Sequence, residues 1–253
     1  MVWSCLVSIL PGMAQTEKLT DYVNPFVGTD GYGNVYPGAQ IPFGGIQISP
    51  DTDSRFYDAA SGYKYNHLTL MGFSLTHLSG TGIPDLGDFL FIPGTGEMKL
   101  EPGTHEDPDQ GYRSRYSHDK EWASPNYYAV ELADYGVKAE MTSGVRSGMF
   151  RFTYPESDNA FIMIDMNHTL WQSCEWSNLR MINDSTITGY KLVKGWGPER
   201  HVYFTATFSK KLTGLRFVQD KKPVIYNTSR FRSSYEAWGK NLMACISFDT
   251  KAG

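Results

Sequence analysis

The densest concentration of groups that could bind or transform a ligand lies between Gly72 and Asp88. The run Gly72-Phe-Ser-Leu-Thr-His-Leu-Ser-Gly-Thr-Gly82 is followed by Ile83-Pro-Asp-Leu-Gly-Asp88. It mixes an imidazole, hydroxyls, glycines and two carboxylates. Glycines let backbone N–H groups approach a ligand closely, and short hydroxyl and carboxylate side chains can hydrogen-bond vicinal hydroxyls such as those of a sugar. Familiar catalytic patterns do not fit. His77, not glycine, stands two positions before Ser79, so this is no nucleophile elbow. No Gly-Lys-Ser/Thr follows, so it is no phosphate loop. His77 and His67 lack a third ligand at metal spacing and read as structural histidines with satisfied hydrogen bonds. Asp85 and Asp88, three apart in a strand-like stretch, should point to opposite faces and so cannot form the converging pair that glycoside hydrolysis requires. Asp88 reads as a turn or strand-end acid, and Asp85 as the acid placed to touch a ligand. Trp171, Trp176 and Trp196 fall between strand-like segments; exposed they would stack on a sugar ring, but burial as core anchors is the expectation.

The elements that must position these residues read as β-strands. Tyr127–Leu132 and Val137–Thr142 flank Ala133-Asp-Tyr-Gly136 and predict a hairpin. Further strands are expected over Gly148–Tyr154, Ala160–Asp165, Thr186–Val193, His201–Phe208, Leu215–Val218 and Leu242–Phe248. Turn clusters separate them at roughly 8–15 residues, the rhythm of a sandwich rather than of βαβ units. No helix of about ten residues or more is signalled. The spacing predicts an all-β domain of two packed antiparallel sheets. Residues 24–53 are rich in glycine, with prolines at 25, 37, 42 and 50. They read either as a functional loop or as an irregular wrap over the sandwich edge.

The chain has 253 residues, of which 41% are hydrophobic and 20% charged, enough apolar material for a core and unlike a disordered chain. A net charge of −4 gives no basic field to hold nucleic acid or an acidic membrane. After residue 15 no apolar run approaches the roughly 18 residues needed to span a bilayer. Cys5, Cys174 and Cys245 form no metal spacing; Cys174 and Cys245 could pair, although two buried thiols are the preferred reading. Residues 1–15 look like the end of an export signal: a short apolar stretch, then small residues at Gly12 and Ala14, but no basic residue ahead of Lys18. The sequons Asn167-His-Thr, Asn183-Asp-Ser and Asn227-Thr-Ser are too short to carry weight. A single domain over 19–253 is expected. The halt at Asp249-Thr-Lys-Ala-Gly253, directly after a strand, reads as a truncated product.

Several motifs in order resemble glycoside hydrolase family 92. They are Asn24-Pro-Phe-Val-Gly-Thr29, Tyr36-Pro-Gly-Ala39, Ile41-Pro-Phe-Gly44, Ser49-Pro-Asp-Thr52, Ser61-Gly-Tyr-Lys-Tyr65, Gly72–Gly82 with Asp85 through Pro93, and Ser117-His-Asp-Lys-Glu-Trp-Ala-Ser-Pro-Asn-Tyr-Tyr128. The resemblance covers about 19–250. It implies a β-sandwich of the galactose-mutarotase-like kind, which in the family precedes a C-terminal (α/α)6 barrel absent here. It also implies calcium-dependent, inverting exo-α-mannosidase activity on the mannose-containing N-glycans of glycoproteins. The catalytic acid and base, and the calcium that grips the sugar, would belong chiefly to that barrel, so no catalytic or metal-binding residue is assigned to this chain. The positions matching the family's pocket loop are His77, Ser79, Gly80, Thr81, Gly82 and Asp85, with Ile83 where leaving-group contacts vary. Leu75 replaces the His of the family's Phe-Ser-His-Thr-His pattern. The expected role is therefore one wall of a mannosidase pocket, inactive alone, in an exported bacterial protein of the periplasm or cell surface. A stand-alone binding module for mannosides is the rival reading; a complete hydrolase of another kind lacks a nameable acid/base pair.

Overall fold

The computed structural model describes residues 17–54, 59–225 and 235–251. Residues 1–15, with Cys5, and the Asn227 sequon lie outside the described residues. Among the described residues eighteen strands occur in chain order: β1 (Ala39–Gln40), β2 (Gln47–Asp51), β3 (Thr69–Leu70), β4 (Gly72–Ser74), β5 (Leu90–Thr95), β6 (Ser114–Arg115), β7 (Glu121–Ser124), β8 (Tyr127–Leu132), β9 (Val137–Ser143), β10 (Gly148–Thr153), β11 (Ala160–Asp165), β12 (Ser173–Asn183), β13 (Thr186–Lys194), β14 (Arg200–Thr207), β15 (Gly214–Gln219), β16 (Lys222–Pro223), β17 (Glu236–Gly239) and β18 (Leu242–Phe248). The helical content among the described residues is short 3-10 turns, such as Leu19–Tyr22.

The strands form a sandwich whose second layer is split. An eight-stranded sheet, β1-β2-β4-β5-β11-β18-β15-β16, is faced by two four-stranded sheets, β10-β9-β8-β7 and β14-β13-β12-β17; a small β3-β6 pair completes the set. At its centre β11 pairs antiparallel with both β5 and β18, and its residues 160–164 are all buried. Such a strand reads as a continuous apolar run because both faces are covered. Ile162 and Ile164 point into a core shared with Leu179, Ile187 and Phe204 of the β12–β14 sheet. Phe161 and Met163 point the other way, under Met98, Leu100 and Tyr112. A third cluster joins Ile48 and Phe73 to Tyr128, Val130, Ala139 and Met141 of the β7–β10 sheet. Leu75, Phe150, Phe152 and Tyr154 pack against both second-layer cores and weld the two small sheets together. β13 and β14 alternate buried or half-buried with more open residues, the signature of sheets wetted on one side. Cys174 and Cys245 are free and buried.

Candidate functional site

The segment from Gly72 to Asp88 leaves the large sheet as an irregular hairpin between β4 and β5. Leu75 N–H donates to Asp88 O at 2.9 Å, Gly87 N–H to Thr76 O at 2.8 Å, and His77 bridges Leu86. Beyond that bridge the chain forms a tip, 78–85. Its base is a buried polar network. His77 lies with Nδ1 2.7 Å from Gln47 O and Nε2 2.7 Å from Asp51 Oδ1, and Ser74 Oγ is 3.1 Å away. The other Asp51 oxygen, Oδ2, is 2.7 Å from His168 Nε2. Burial pushes the Asp51 carboxyl up, but the charges and hydrogen bonds of His77 and His168 outweigh it and hold the group below the usual carboxylate range. His77 thus has both ring nitrogens engaged within the chain.

The expectation for Asp85 and Asp88 requires correction. Leu86 and Gly87 both take φ of 75°, so this stretch is not a strand and the two acids do not point to opposite faces. Both instead meet Arg200 of β14: its guanidinium donates to Asp88 Oδ2 and approaches Asp85 Oδ1 at 3.9 Å. Asp88 is no peripheral turn acid. It is wholly buried, accepts from Thr76 Oγ1 at 2.7 Å, and faces the equally buried Lys191 ammonium at 3.1 Å, a charge contact without hydrogen-bond alignment. Burial raises its carboxyl, yet Lys191 and Arg200 lower it further. Asp85, 6% exposed, accepts from Leu86 N–H at 2.6 Å and Trp196 N–H at 3.0 Å.

Above this base the tip is open. Ser79, Gly80, Gly82 and Ile83 are exposed, and Thr81 is half-buried with its hydroxyl donating to Ile83 O at 3.1 Å. Gly80 N–H donates to the carbonyl of Asn34 at 2.7 Å, so the glycine-rich 24–45 segment lies alongside the tip. That segment leaves Val27, Tyr32 and Phe43 strongly exposed. Leu75, where a histidine was expected by resemblance, packs into both second-layer cores rather than toward the tip.

Beside the tip a cleft of about 920 Å³ opens between the 98–112 segment and the loops around 165–174, 218–221 and 240–243. Asp165 lies in its wall, where burial raises its carboxyl and its Oδ1 accepts from Asn167 N–H at 2.8 Å. His168, Trp171, Gln172 and Cys174 also line it. Sequence reasoning missed Asp165, His168, Lys191 and Arg200, whose significance arises only from folding distant segments together. It also misplaced the tryptophans: Trp176 is on β12, not in a loop, and Trp171, Trp176 and Trp196 are 57%, 41% and 59% exposed rather than core anchors. A φ of 74° turns Trp171 outward, and a register shift between Cys174 and Trp176 puts the latter on the open face of β12.

Asp51, Asp85 and Asp88 are each taken up by cations or backbone N–H groups, so no converging acid/base pair is free at the tip. Among the described residues no group of three or more His, Cys, Asp or Glu side chains is placed to hold a metal ion. No helix of the described residues is long and apolar enough to cross a membrane.

The described geometry agrees with known proteins. The sequence model of the glycosyl hydrolase family 92 N-terminal domain matches residues 22–253. The solved structure of the gh92 family glycosyl hydrolase ccman5 superposes with a TM-score of 0.74 at 27% identity, over 91% of this chain and 30% of that one. A family GH92 inverting mannosidase from Bacteroides thetaiotaomicron superposes with a TM-score of 0.73 over 94% of this chain and 31% of that one; at 23% identity the likeness speaks for the fold alone. An uncharacterized secreted glycosidase of Arthroderma benhamiae is 30% identical over 139 residues, which are 54% of this chain and 17% of the relative. The chain thus spans about a sixth of that curated relative and under a third of the solved structures. With the domain match running almost from end to end, the chain belongs to glycosyl hydrolase family 92 and carries its N-terminal domain over residues 22–253.

Proposed function

We propose that this domain forms one wall of the substrate pocket of an exported, inverting exo-α-mannosidase that trims glycoprotein N-glycans. The carrying observation is a contrast: a tip with exposed Ser79, Gly80 and Gly82 and half-buried Thr81 stands on a base in which Asp51, Asp85 and Asp88 are all occupied. Such a surface recognises hydroxyls but has no acid to protonate a glycosidic oxygen and no base to activate water. Catalytic carboxyls and a calcium site then fall to an (α/α)6 barrel outside this chain. The exposed Val27, Tyr32 and Phe43 of the glycine-rich segment favour a partner surface on it. Similarity to a secreted glycosidase supports export, and the mannoside class rests on the resemblance of the sequence motifs to family 92.

The test is mannose release from α-mannosyl disaccharides. The 253-residue chain is assayed alone and co-expressed with the barrel domain of a related enzyme, with calcium and with EDTA. The chain alone is expected to be silent and the mixture to gain calcium-dependent turnover. Release by the chain alone would place catalytic carboxyls within it and sink this reading. Tight mannoside binding without a partner, and no turnover in the mixture, would instead favour the stand-alone binding module.

A further inference from the structure

Trp171 and Trp196 sit on separate loops, each fixed to the base of the tip. Trp196 stands between Gly195 and Gly197, its ring in solvent and its backbone N–H donating to Asp85 Oδ2 at 3.0 Å across 111 residues of sequence. Gly195 N–H closes the loop by donating to Gly197 O at 3.1 Å. A Cβ on Gly195 would lie 2.5 Å from Gln172 Cγ and 3.0 and 3.1 Å from the Asp85 oxygens, so the loop backbone is pressed against both. Gln172 Nε2 donates to Pro84 O at 2.9 Å and to Leu170 O at 2.5 Å, which ties the turn carrying Trp171 to the same base.

Asp85 has little left to offer a ligand. It is buried, accepts two backbone N–H groups and faces Arg200. The Arg200 charge is in turn balanced by Asp88, so the site holds no spare cation for an anionic ligand. What remains open is the Trp196 indole, exposed on a loop whose backbone is anchored to Asp85 at the end of the tip. Fixing the loop backbone before binding lowers the ordering cost that a mobile loop would incur. A hexopyranoside offers the matching surface, an apolar C–H face for the ring and hydroxyls for the tip.

We propose that Trp196 is a sugar-stacking residue and that Asp85 is a positioning residue that acts through it, fixing the indole without touching the saccharide. The inference rests on the carbohydrate reading above and names the residues by which that wall grips its ligand. Trp196 stacks on the hexopyranoside, and the 79–82 tip meets the hydroxyl edge.

The experiment is calorimetric titration of the 253-residue chain with α-mannobiose. The variants are Trp196→Ala, Asp85→Asn, the double variant, and Trp238→Ala as a control on the exposed face of β17. Asparagine can accept only one of the two N–H groups that Asp85 accepts. Loss of the indole should weaken binding about fivefold to tenfold, and Asp85→Asn by a similar factor. The double variant should be no weaker than Trp196→Ala, because the two changes remove one interaction. Trp238→Ala should change nothing. Independently of ligand, the emission of Trp196, taken as the difference between chains with and without Trp196→Phe, should lose anisotropy in Asp85→Asn. Trp196 is exposed, so its loss leaves the melting temperature in place, and a stability defect alone would not move the anisotropy.

Additive losses in the double variant would mean that Asp85 touches the saccharide and overturn the proposal, as would unchanged affinity in Trp196→Ala. If mannobiose binds but ignores Trp196, the inference fails and the mannoside reading stands. If a glucosyl or galactosyl disaccharide binds with the Trp196 dependence and mannobiose does not, the mannoside reading fails and the inference stands. A chain that binds none of these disaccharides overturns it.

Discussion

Lys191 shows how much a single side chain carries in this domain. It is fully buried on β13, with its ammonium 3.1 Å from Asp88 Oδ1, donating to His168 O at 2.6 Å and 5.3 Å from the Phe89 ring centre. It therefore joins the two halves of the polar base, His77–Asp51–His168 on one side and Asp88–Arg200–Asp85 on the other. Replacing such an ion pair with apolar groups is often tolerated, whereas removing one partner strands a buried charge. Lys191→Met should therefore cost about 3–5 kcal/mol in urea unfolding, with an unchanged m-value. The double variant Lys191→Met/Asp88→Asn should regain only part of that loss, because Asp88 is also the partner of Arg200. An equal or larger deficit in the double variant would mean that the lysine stabilises through packing and not through Asp88.

At the scale of elements, the second-layer sheet β14-β13-β12-β17 depends on a close approach. Gly189 of β13 pairs with Phe204 of β14, and a Cβ there would lie 2.1 Å from Phe204 Cε1. The Phe204 ring is held in turn against Phe89 at 4.7 Å and Phe91 at 5.9 Å. Gly189→Ala must displace that ring and should cost about 1–3 kcal/mol, read as a lower melting temperature. Gly189→Ala/Phe204→Leu should recover part of it. Strands such as β8, β11, β13 and β18 were legible from sequence because alternation or an unbroken apolar run survives in them. β2 and β5 were not, because Pro50, Pro93 and Gly94 interrupt their pattern, as prolines normally do inside sheets. β12 was hidden by its two register shifts, which put Trp176 on the open face. In the site, His77 was readable as a satisfied histidine. The roles of Asp85 and Asp88 were not, since Lys191, Trp196 and Arg200 come from strands and loops far along the chain and the positive φ at Leu86 leaves no pattern in residue types.

For the whole molecule, Asp51 and Asp88 on one side and Asp165 on the other pull its pH dependence in opposite directions. Asp51 and Asp88 have folded pKa values below the unfolded value of about 3.9. Between those values the unfolded chain binds more protons than the folded one. Their contribution is therefore full above about pH 4 and is lost as pH falls through the lower folded values. Asp165 is raised by burial, so there the folded chain binds more protons. Its contribution is full below about pH 4 and is lost as pH rises through the raised value. Neutral pH thus keeps the clamp at Asp51 and Asp88, whereas raising the pH from about 4 towards neutral removes the contribution of the Asp165 carboxyl in the cleft wall. Asp165→Asn should accordingly be more stable than the parent in urea at neutral pH, with the advantage vanishing near about pH 3. Asp51→Asn should be less stable at neutral pH, its deficit shrinking as the parent itself acidifies. The two variants together separate the terms. If Asp165→Asn stabilises equally at both pH values, its effect is one of packing, and the cleft does not hold a carboxyl whose ionisation opposes folding.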